Sequence, residues 1–415
     1  MKRYSKTELH LLICCFITYT ATYISRCNLA PSLDAIASTF HVTTATVGLL
    51  PTCFALPYAA GQAVSGWLAD RLPAPRMMLI GLLGSAIVNM LFSVCPVFTL
   101  LLILCFINGL LQSLIWTPII RIMAIHFREE VRNHAAFFMS LSLIFGYLLA
   151  WALSGFLTSQ LHWRVAFLIS GIVTAAIGMP AILSMRRLAV QMQTQSHHQE
   201  HPDIQAPARH MLLHTNLLLI LIACFGNGYV RDGIMNWATK LLMDTQNLDL
   251  NSAVGIILII PAVNYLGLQL GSLVFHIVRN NVYLSCAILF ALCTGFCMVL
   301  GPATRLGLVP CILVLVFISA MSYGLNPLLT TLLPMIFRPQ NRIAFAAGLM
   351  DAMVYVGSAF SGFFAGYLSD SFDWNAVFFS WALFSLLSTI TMVCAWHFIP
   401  RRKHIRFPSH QSGES

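Results

Sequence analysis

Long apolar runs separated by short polar segments make up most of the chain. About 20 apolar residues span a bilayer core of about 30 Å as an α-helix. In lipid, only helices and closed barrels pair every backbone polar group, and barrel strands are about half as long as these runs. The pattern therefore predicts an all-α membrane protein with twelve transmembrane helices, near residues 9–33, 45–69, 76–95, 97–124, 134–158, 163–185, 212–242, 252–277, 281–301, 307–336, 343–369 and 374–399.

The longest polar stretch, QMQTQSHHQEHPDIQAPAR (191–209), separates the sixth apolar run from the seventh. Its composition is typical of a linker. It predicts an N-terminal six-helix bundle (1–185), a cytoplasmic linker (186–211), a C-terminal six-helix bundle (212–400) and a basic cytoplasmic tail (401–415).

An internal repeat indicates that the two halves are equivalent. The segment SGFLTSQLHWRVAF (154–167) resembles AGYLSDSFDWNAVF (365–378), which lies 211 residues later, and Arg26 and Arg231 are 205 residues apart. Similar offsets in the same order indicate six helices followed by six more in parallel repetition. In transporters built from such repeats, the substrate site lies near the bilayer midplane, between the halves.

Composition and charge support this arrangement. The chain is 58% hydrophobic and only 9% charged, whereas soluble domains are about 25% charged. If the predicted helices cross the membrane in turn, 17 of the 23 Lys and Arg residues fall in segments on the same side as the N-terminus. Only Arg164 and Arg305 fall in segments on the other side. Because cytoplasmic loops collect Lys and Arg, both termini are predicted to be cytoplasmic. The net charge of +9 then follows from topology and contact with the lipid bilayer, and no nucleic-acid partner is expected.

No signature of a catalytic or metal site stands out in the sequence. The twelve cysteines form no CxxC pair, and the histidines of the linker fit no regular zinc spacing. The GxxxxGK[ST] phosphate-binding loop of many ATPases is also missing. We therefore expect no enzyme activity, no cofactor and no metal, and we expect transport to be driven by a gradient.

Arg26 and Arg231 lie deep within the first and seventh predicted helices, at equivalent places in the repeat. A guanidinium at that depth is costly unless it meets water or a partner. Two such groups facing one cavity would clamp a dianion, because a guanidinium binds phosphate or carboxylate bidentately. The alternatives are that the side chains extend to the membrane surface or that they form a structural ion pair with Asp232 or Asp351.

Tyr19 and Tyr23 lie seven and three residues before Arg26, on the same helix face. Their hydroxyls could donate hydrogen bonds to the same anion. Packing of aromatic side chains at helical spacing is an equally good interpretation.

Two other ionisable residues fall within predicted helices. Asp351, in the eleventh, is interpreted as a proton carrier, a partner for an arginine or part of a water-exposed cavity wall. Lys240, near the outer end of the seventh, is expected to extend its ammonium group to the membrane surface.

The segment GWLADRLPAPR (66–76) joins the second and third predicted helices. Its charged side chains can hydrogen-bond and pair with neighbouring helix ends at the membrane surface. Gly66, Asp70, Arg71 and Arg76 therefore form a candidate gating loop.

The same segment resembles the G-x-L-x-D-R-x-G-R-R loop signature of the major facilitator superfamily, with Pro73 and Pro75 as departures. YISRCNLA (23–30) and YVRDGIMNWATKLL (229–242) resemble the arginine-bearing segments of its organophosphate:phosphate antiporter family. GLLQSLIWTPIIRIMAIHF and AAGLMDAMVYVGSAFSGFFAGYLSD resemble the fourth and eleventh helices of that family. The resemblance covers about residues 8–400 and implies the major facilitator fold, with 12 transmembrane helices in two six-helix halves.

Members of this family exchange a phosphorylated metabolite for inorganic phosphate by rocking their two halves. The resemblance implies that Arg26 and Arg231 bind the phosphoryl group of a small anionic substrate and that Tyr19 and Tyr23 line the cavity. The leading hypothesis is a monomeric secondary transporter of an organophosphate in the inner membrane of a bacterial cell.

Three positions depart from the family pattern. Gln62 and Ser142 stand where some members have a lysine and a histidine, and Asp351 stands where the family tends to have a small residue. These differences make the cavity less positive, and with Lys240 these residues are candidates for the cavity or for coupling. A proton-coupled transporter of a carboxylate or another solute is therefore one alternative, and a membrane sensor of a phosphorylated metabolite is another.

Overall fold

The computed structural model describes residues 4–69, 72–193, 215–334, 336 and 343–397. Twelve long helices, numbered α1 to α12, run through this described part of the chain. Their bounds are Lys6–Cys27, Leu49–Ala69, Ala74–Ser93, Phe98–His126, Glu129–Gln160, Trp163–Gln193, Thr215–Gln246, Leu250–Ile257 continued by Ile259–Ile277, Val282–Leu306, Leu308–Pro327, Ile343–Ser371 and Trp374–His397. The prediction of an all-α membrane protein is confirmed.

Eleven stretches of the described chain are long and apolar enough to cross a membrane. Of the twelve long helices described, α2 is the one that is not among these stretches, although its 21 residues are enough to span a membrane. It contains Pro51, Pro57, Tyr58 and Gln62, which lower its mean hydropathy. These side chains indicate a helix that faces other helices and a cavity more than it faces lipid.

Helix α1 is broken just after Arg26. Pro31 lacks the N–H that would bond the Cys27 carbonyl and continue the helix, so α1 ends at Cys27 and a 3-10 turn covers Ala30–Ser32. A second helical segment, Leu33–Phe40, then completes the first membrane crossing. Arg26 thus lies in the last turn of α1, next to an irregular backbone segment.

Side-chain hydrogen bonds from neighbouring helices stabilise this break. The Asn28 amide donates to Asn89 Oδ1 of α3 at 2.8 Å. The Asn28 carbonyl, which the break leaves without its helical partner, accepts from Ser154 Oγ of α5 at 2.7 Å and from Ser32 Oγ at 3.1 Å. The buried backbone polar group is therefore satisfied, and the position of Arg26 is fixed.

The helix pairings of the first half recur in the second half. Helix α1 packs against α5 and α6, α2 against α4, and α3 against α4 and α6. Correspondingly, α7 packs against α11 and α12, α8 against α10, and α9 against α10 and α12. Helix α6 continues to Gln193, and the rest of the linker and the tail lie outside the described residues. The boundaries predicted for the bundles therefore stay a prediction.

Helices α7 and α11 cross at very close range through two glycines. A Cβ atom at Gly228 would meet the Val354 carbonyl, and one at Gly357 would meet the Phe225 carbonyl. This contact places Arg231, three residues after Gly228, beside α11.

The two halves meet toward one end of the bundle. We call the end where α1 begins and α12 ends the terminal face, and the other end the opposite face. Helices α2 and α11 pack across the halves, and so do α5 and α8. Toward the opposite face, Gly48 and Gly362 are in backbone contact, and Thr52 Oγ1 donates to the Ala359 carbonyl.

Two charged contacts join the halves at the opposite face. Lys240 Nζ of α7 lies 3.0 Å from Asp34 Oδ1 in the segment Leu33–Phe40. The Ala45 N–H donates to Asp370 Oδ2 of α11 at 2.6 Å. These contacts close the opposite face in this conformation.

Candidate functional site

A cavity lies between the two halves, on the opposite-face side of Arg26. It is lined by residues of both halves, among them Arg26 and Phe54 from the first half and Asp232, Tyr355 and Ser358 from the second. Its empty volume, open solvent included, is about 700 Å³. A cavity at the interface of two repeats is where such folds place their substrates.

The Arg26 guanidinium is surrounded by aromatic rings. Its Cζ atom lies 4.4 Å from the ring centroid of Tyr58, 5.2 Å from that of Phe54 and 5.3 Å from those of Tyr23 and Tyr355. A ring face attracts a cation by about 0.5–2 kcal/mol, which stabilises the charge within the membrane region.

The rings do not satisfy the N–H groups of Arg26. Within the described part of the chain, no oxygen atom accepts a hydrogen bond from this guanidinium and no carboxylate pairs with it. A hydrogen bond to a charged group contributes about 1.5–3 kcal/mol. Arg26 is therefore a cation with unused donors, prepared to bind an anion.

Arg231 differs from Arg26, because it has an internal partner. Its Nε and Nη2 atoms donate to the two carboxylate oxygens of Asp232 at 2.7 Å and 2.9 Å, and its Nη1 donates to Asn326 Oδ1 at 2.9 Å. Both charged side chains are largely buried, with 12% and 11% of their surface exposed. The ion-pair alternative with Asp232 thus describes Arg231 in this conformation. Two of its five N–H donors have no acceptor within the described residues, although Arg231 is not among the residues that line the cavity.

Asp351 lies on the same face of α11 as two residues that line the cavity. Tyr355 and Ser358 follow it by four and seven residues, which is the spacing of one helix face. Asp351 is half-buried and lies within electrostatic reach of both Arg26 and Arg231. It forms no ion pair or hydrogen bond within the described residues.

Tyr19 and Tyr23 are both buried. The Tyr23 ring contacts Arg26 and packs edge-on against Tyr19 at 5.2 Å. Tyr19 packs further from the guanidinium, against the Trp116 ring at 4.6 Å. Contrary to the expectation that they line the cavity, neither is among its lining residues: Tyr23 belongs to the aromatic wall around Arg26, and Tyr19 packs behind it.

Three other candidates lie in different environments. Gln62 is half-buried and its Oε1 accepts from Thr117 Oγ1 at 3.0 Å, which fixes α2 to α4. Ser142 is fully buried between α5 and α1 and does not line the cavity. Lys240 lies at the opposite face, and its ammonium group pairs with Asp34 instead of extending freely to the membrane surface.

The gating loop falls largely outside the described chain. Asp70 and Arg71 lie outside the described residues. Gly66 lies within α2, and Arg76 is exposed near the start of α3 at the terminal face. A gating role for these residues stays a prediction.

Four residues of the site are absent from the sequence-based set. Phe54, Tyr58 and Tyr355 form three of the four rings around Arg26, and Asn326 holds Arg231. The sequence contains a signal for two of these residues, Tyr58 and Tyr355. Tyr58 precedes Gln62 by four residues, and Tyr355 follows Asp351 by four, so each shares a helix face with a candidate residue.

Metal binding has no support from the described residues, which contain no group of three His, Cys, Asp or Glu side chains that could hold an ion. The histidine-rich linker lies outside them. The site therefore consists of charged, aromatic and amide side chains.

Comparison with known proteins relates this geometry to transporters. The profile of the Major Facilitator Superfamily matches residues 11–340 and 270–414. The chain is 23% identical over 432 residues to the glycerol-3-phosphate transporter of Bacillus subtilis, an alignment that covers 97% of this chain and 95% of that protein. It is 24% identical over 268 residues to the membrane sensor protein UhpC of Salmonella typhimurium, and here the alignment covers 60% of each protein.

A solved structure has the same fold. A bacterial homolog of the human lysosomal transporter Spinster, in an inward-facing and occupied conformation, matches with a TM-score of 0.73 at 15% identity. The match covers 96% of this chain and 98% of that one.

Proposed function

The chain belongs to the major facilitator superfamily, and on that premise we propose that it carries a small organic anion by alternating access, with an organophosphate exchanged for inorganic phosphate. The observation that carries this proposal is Arg26, a cation between the two halves whose N–H donors have no acceptor in the described structure. Relatives of this chain include a protein named as a glycerol-3-phosphate transporter.

Arg26 is the primary contact for the anion in this proposal. Its planar guanidinium can donate two parallel hydrogen bonds to a phosphate or carboxylate group, while the rings of Tyr23, Tyr58 and Tyr355 stabilise its charge. Arg231 is the second contact, through the two N–H donors that Asp232 and Asn326 leave unused. The pair is therefore unequal: one arginine brings a full charge, and the other brings hydrogen bonds from a neutralised ion pair.

Transport requires the closed opposite face to open. Anion binding between Arg26 and Arg231 would draw the halves together on the terminal side of the cavity and favour separation at the opposite face. A ligand shifts such an equilibrium only by its difference in affinity for the two states. Bonds from both halves to one anion supply that difference.

The excess of Lys and Arg in segments on the terminal side supports a cytoplasmic terminal face. We therefore place both termini in the cytoplasm of a bacterial cell, with the chain in the inner membrane. In this arrangement, the contacts at the opposite face close the cavity toward the outside of the cell.

Uptake by purified protein in liposomes tests the proposal. Arg26→Lys keeps the charge but loses the two-pronged hydrogen bonding, so exchange of inorganic phosphate should fall at least about tenfold, since one charge-assisted hydrogen bond contributes about 1.5–3 kcal/mol. Arg231→Lys should have a smaller effect, because Arg231 is already paired.

Arg164→Lys is the matched control. Arg164 also stacks on an aromatic ring, that of Trp163 at 4.6 Å, but lies outside the cavity. The Arg164→Lys variant should therefore retain exchange activity. Normal exchange by Arg26→Lys would contradict the proposal, and phosphate binding by the wild-type chain without any exchange would indicate a sensor.

A further inference from the structure

The cavity region contains one cation and one carboxylate that lack partners within the described chain. Arg26 has no acceptor for its N–H groups, and Asp351 has no ion pair or hydrogen bond. The other two charges, Arg231 and Asp232, neutralise each other at 2.7 Å. The four charges of the region therefore sum to zero. The two that lack a partner, on Arg26 and Asp351, have opposite signs.

Tyr355 lies beside Arg26 and shares a helix face with Asp351. Its ring lies 5.3 Å from the Arg26 Cζ atom, and Asp351 is one turn away from it on α11, about 6 Å along the helix axis. The carboxylate lies within electrostatic reach of Arg26 without forming a bond to it. A guest with only negative charge would be attracted by Arg26 and repelled by Asp351.

We infer that the cargo is zwitterionic: its anionic group binds Arg26, and an ammonium group at its other end binds Asp351. The inference rests on the proposed anion transport and specifies the cargo of that same site. A primary ammonium group donates three hydrogen bonds, which suits a carboxylate, and the neighbouring Tyr355 and Tyr58 rings attract cations. Such a guest satisfies both free charges at once, whereas inorganic phosphate satisfies only one.

Matched pairs of small compounds test this inference by isothermal titration calorimetry on the purified full-length chain in lipid nanodiscs. O-phosphoethanolamine and 2-hydroxyethyl phosphate differ only in an ammonium group against a hydroxyl. Taurine and isethionate form the same pair with a sulfonate, and β-alanine and 3-hydroxypropionate form it with a carboxylate. In at least one pair we expect the ammonium member to bind about tenfold more tightly, which corresponds to about 1.4 kcal/mol.

Asp351→Asn should abolish that preference, because the amide keeps the shape of the side chain and loses its charge. Binding of the hydroxyl member should stay unchanged or become tighter. Asp373→Asn, at an exposed carboxylate next to the start of α12, is the control and should keep the preference.

Each other outcome overturns the inference. A wild-type chain without preference, or an Asp351→Asn variant that keeps the preference, removes the role of the carboxylate. Tighter binding of a hydroxyl member, with uptake of a proton that Asp351→Asn abolishes, would identify Asp351 as a proton carrier instead. If none of the six compounds binds, both the inference and the proposed function fail.

Arg26→Lys separates the two failures. If it loses binding of both members of a pair while the wild-type chain binds them equally, the zwitterion inference fails and the proposed function stands. If it binds both members as tightly as the wild-type chain does, the proposed function fails as well.

Discussion

At the scale of single residues, the two arginines show what sequence spacing predicts and what it leaves open. Their depth in apolar runs and their equal places in the repeat identified Arg26 and Arg231 as candidates. Whether a carboxylate neutralises the charge of each arginine depends on its side-chain partners, which spacing does not determine. Asp232 is adjacent to Arg231 and pairs with it, whereas Asp351, on another helix, pairs with neither. Tyr23 is on the same helix as Arg26, but the other three aromatic residues around it come from α2 and α11, and only the packing of these helices brings them to Arg26.

Removing the internal partner of Arg231 should strengthen anion binding. Asp232→Asn leaves an amide oxygen that can still accept one hydrogen bond, but it frees the positive charge. We expect inorganic phosphate to bind roughly tenfold more tightly, in line with about 1.5 kcal/mol for a bond to a charged group. Calorimetric titration with phosphate measures this.

The control for this prediction is Asp244→Asn. Asp244 also contacts a cation, Lys240 at 3.4 Å, but lies at the opposite face, so phosphate affinity should not change. Weaker phosphate binding by Asp232→Asn would mean that Asp232 is needed to orient Arg231.

At the scale of helices, the apolar pattern predicted twelve crossings because each crossing must satisfy its own backbone in lipid. The predicted bounds 97–124 and 374–399 compare well with Phe98–His126 and Trp374–His397. The pattern gave no sign that Leu308–Pro327 would be followed by a π-helical turn at Leu328–Leu332. Hydropathy averages over such local changes in hydrogen bonding.

The close crossing of α7 and α11 should tolerate no side chain. Gly228→Ala places a Cβ against the Val354 carbonyl, and overpacking of this kind costs about 1–3 kcal/mol. The melting temperature of the variant in detergent should fall, and phosphate exchange should fall with it because Arg231 is displaced.

Gly295→Ala provides the comparison, since a Cβ there meets nothing within 4 Å. Alanine favours the helix over glycine by about 0.5–1 kcal/mol, so this variant should melt at the same temperature or slightly higher. Equal melting of the two variants would show that the crossing can relax.

At the scale of the whole molecule, the sequence predicted two halves but not which end of the bundle is closed. Apolar periodicity shows which face of a helix packs inward, but not at which end the two halves are in contact. The closed end is defined by contacts between residues far apart in the chain, such as Lys240 with Asp34 and Asp370 with Ala45. Each such partly exposed charged contact contributes about 0–1 kcal/mol.

Removing both contacts should shift the molecule toward an open opposite face. For Lys240→Gln combined with Asp370→Asn, a change of about 1 kcal/mol would raise the open fraction about fivefold. A cysteine introduced at Ala45 should then react correspondingly faster with a membrane-impermeant maleimide.

Arg305→Gln combined with Asp373→Asn is the matched double variant. These exposed charges also lie at the opposite face, but both belong to the second half. They should leave the labelling rate at Ala45 unchanged. An equal rate in the two double variants would mean that the apolar contacts alone hold this face closed.

The bond from Ala45 to Asp370 has a consequence for observing the transport cycle. The short helix Thr44–Val47 receives one cap from its own Thr43 and a second, at the Ala45 N–H, from a carboxylate of the other half. Each time the halves part, that amide loses its acceptor and meets bulk water. Its deuterium uptake, followed by mass spectrometry on the unmodified chain, therefore reports how often the two halves separate at the opposite face.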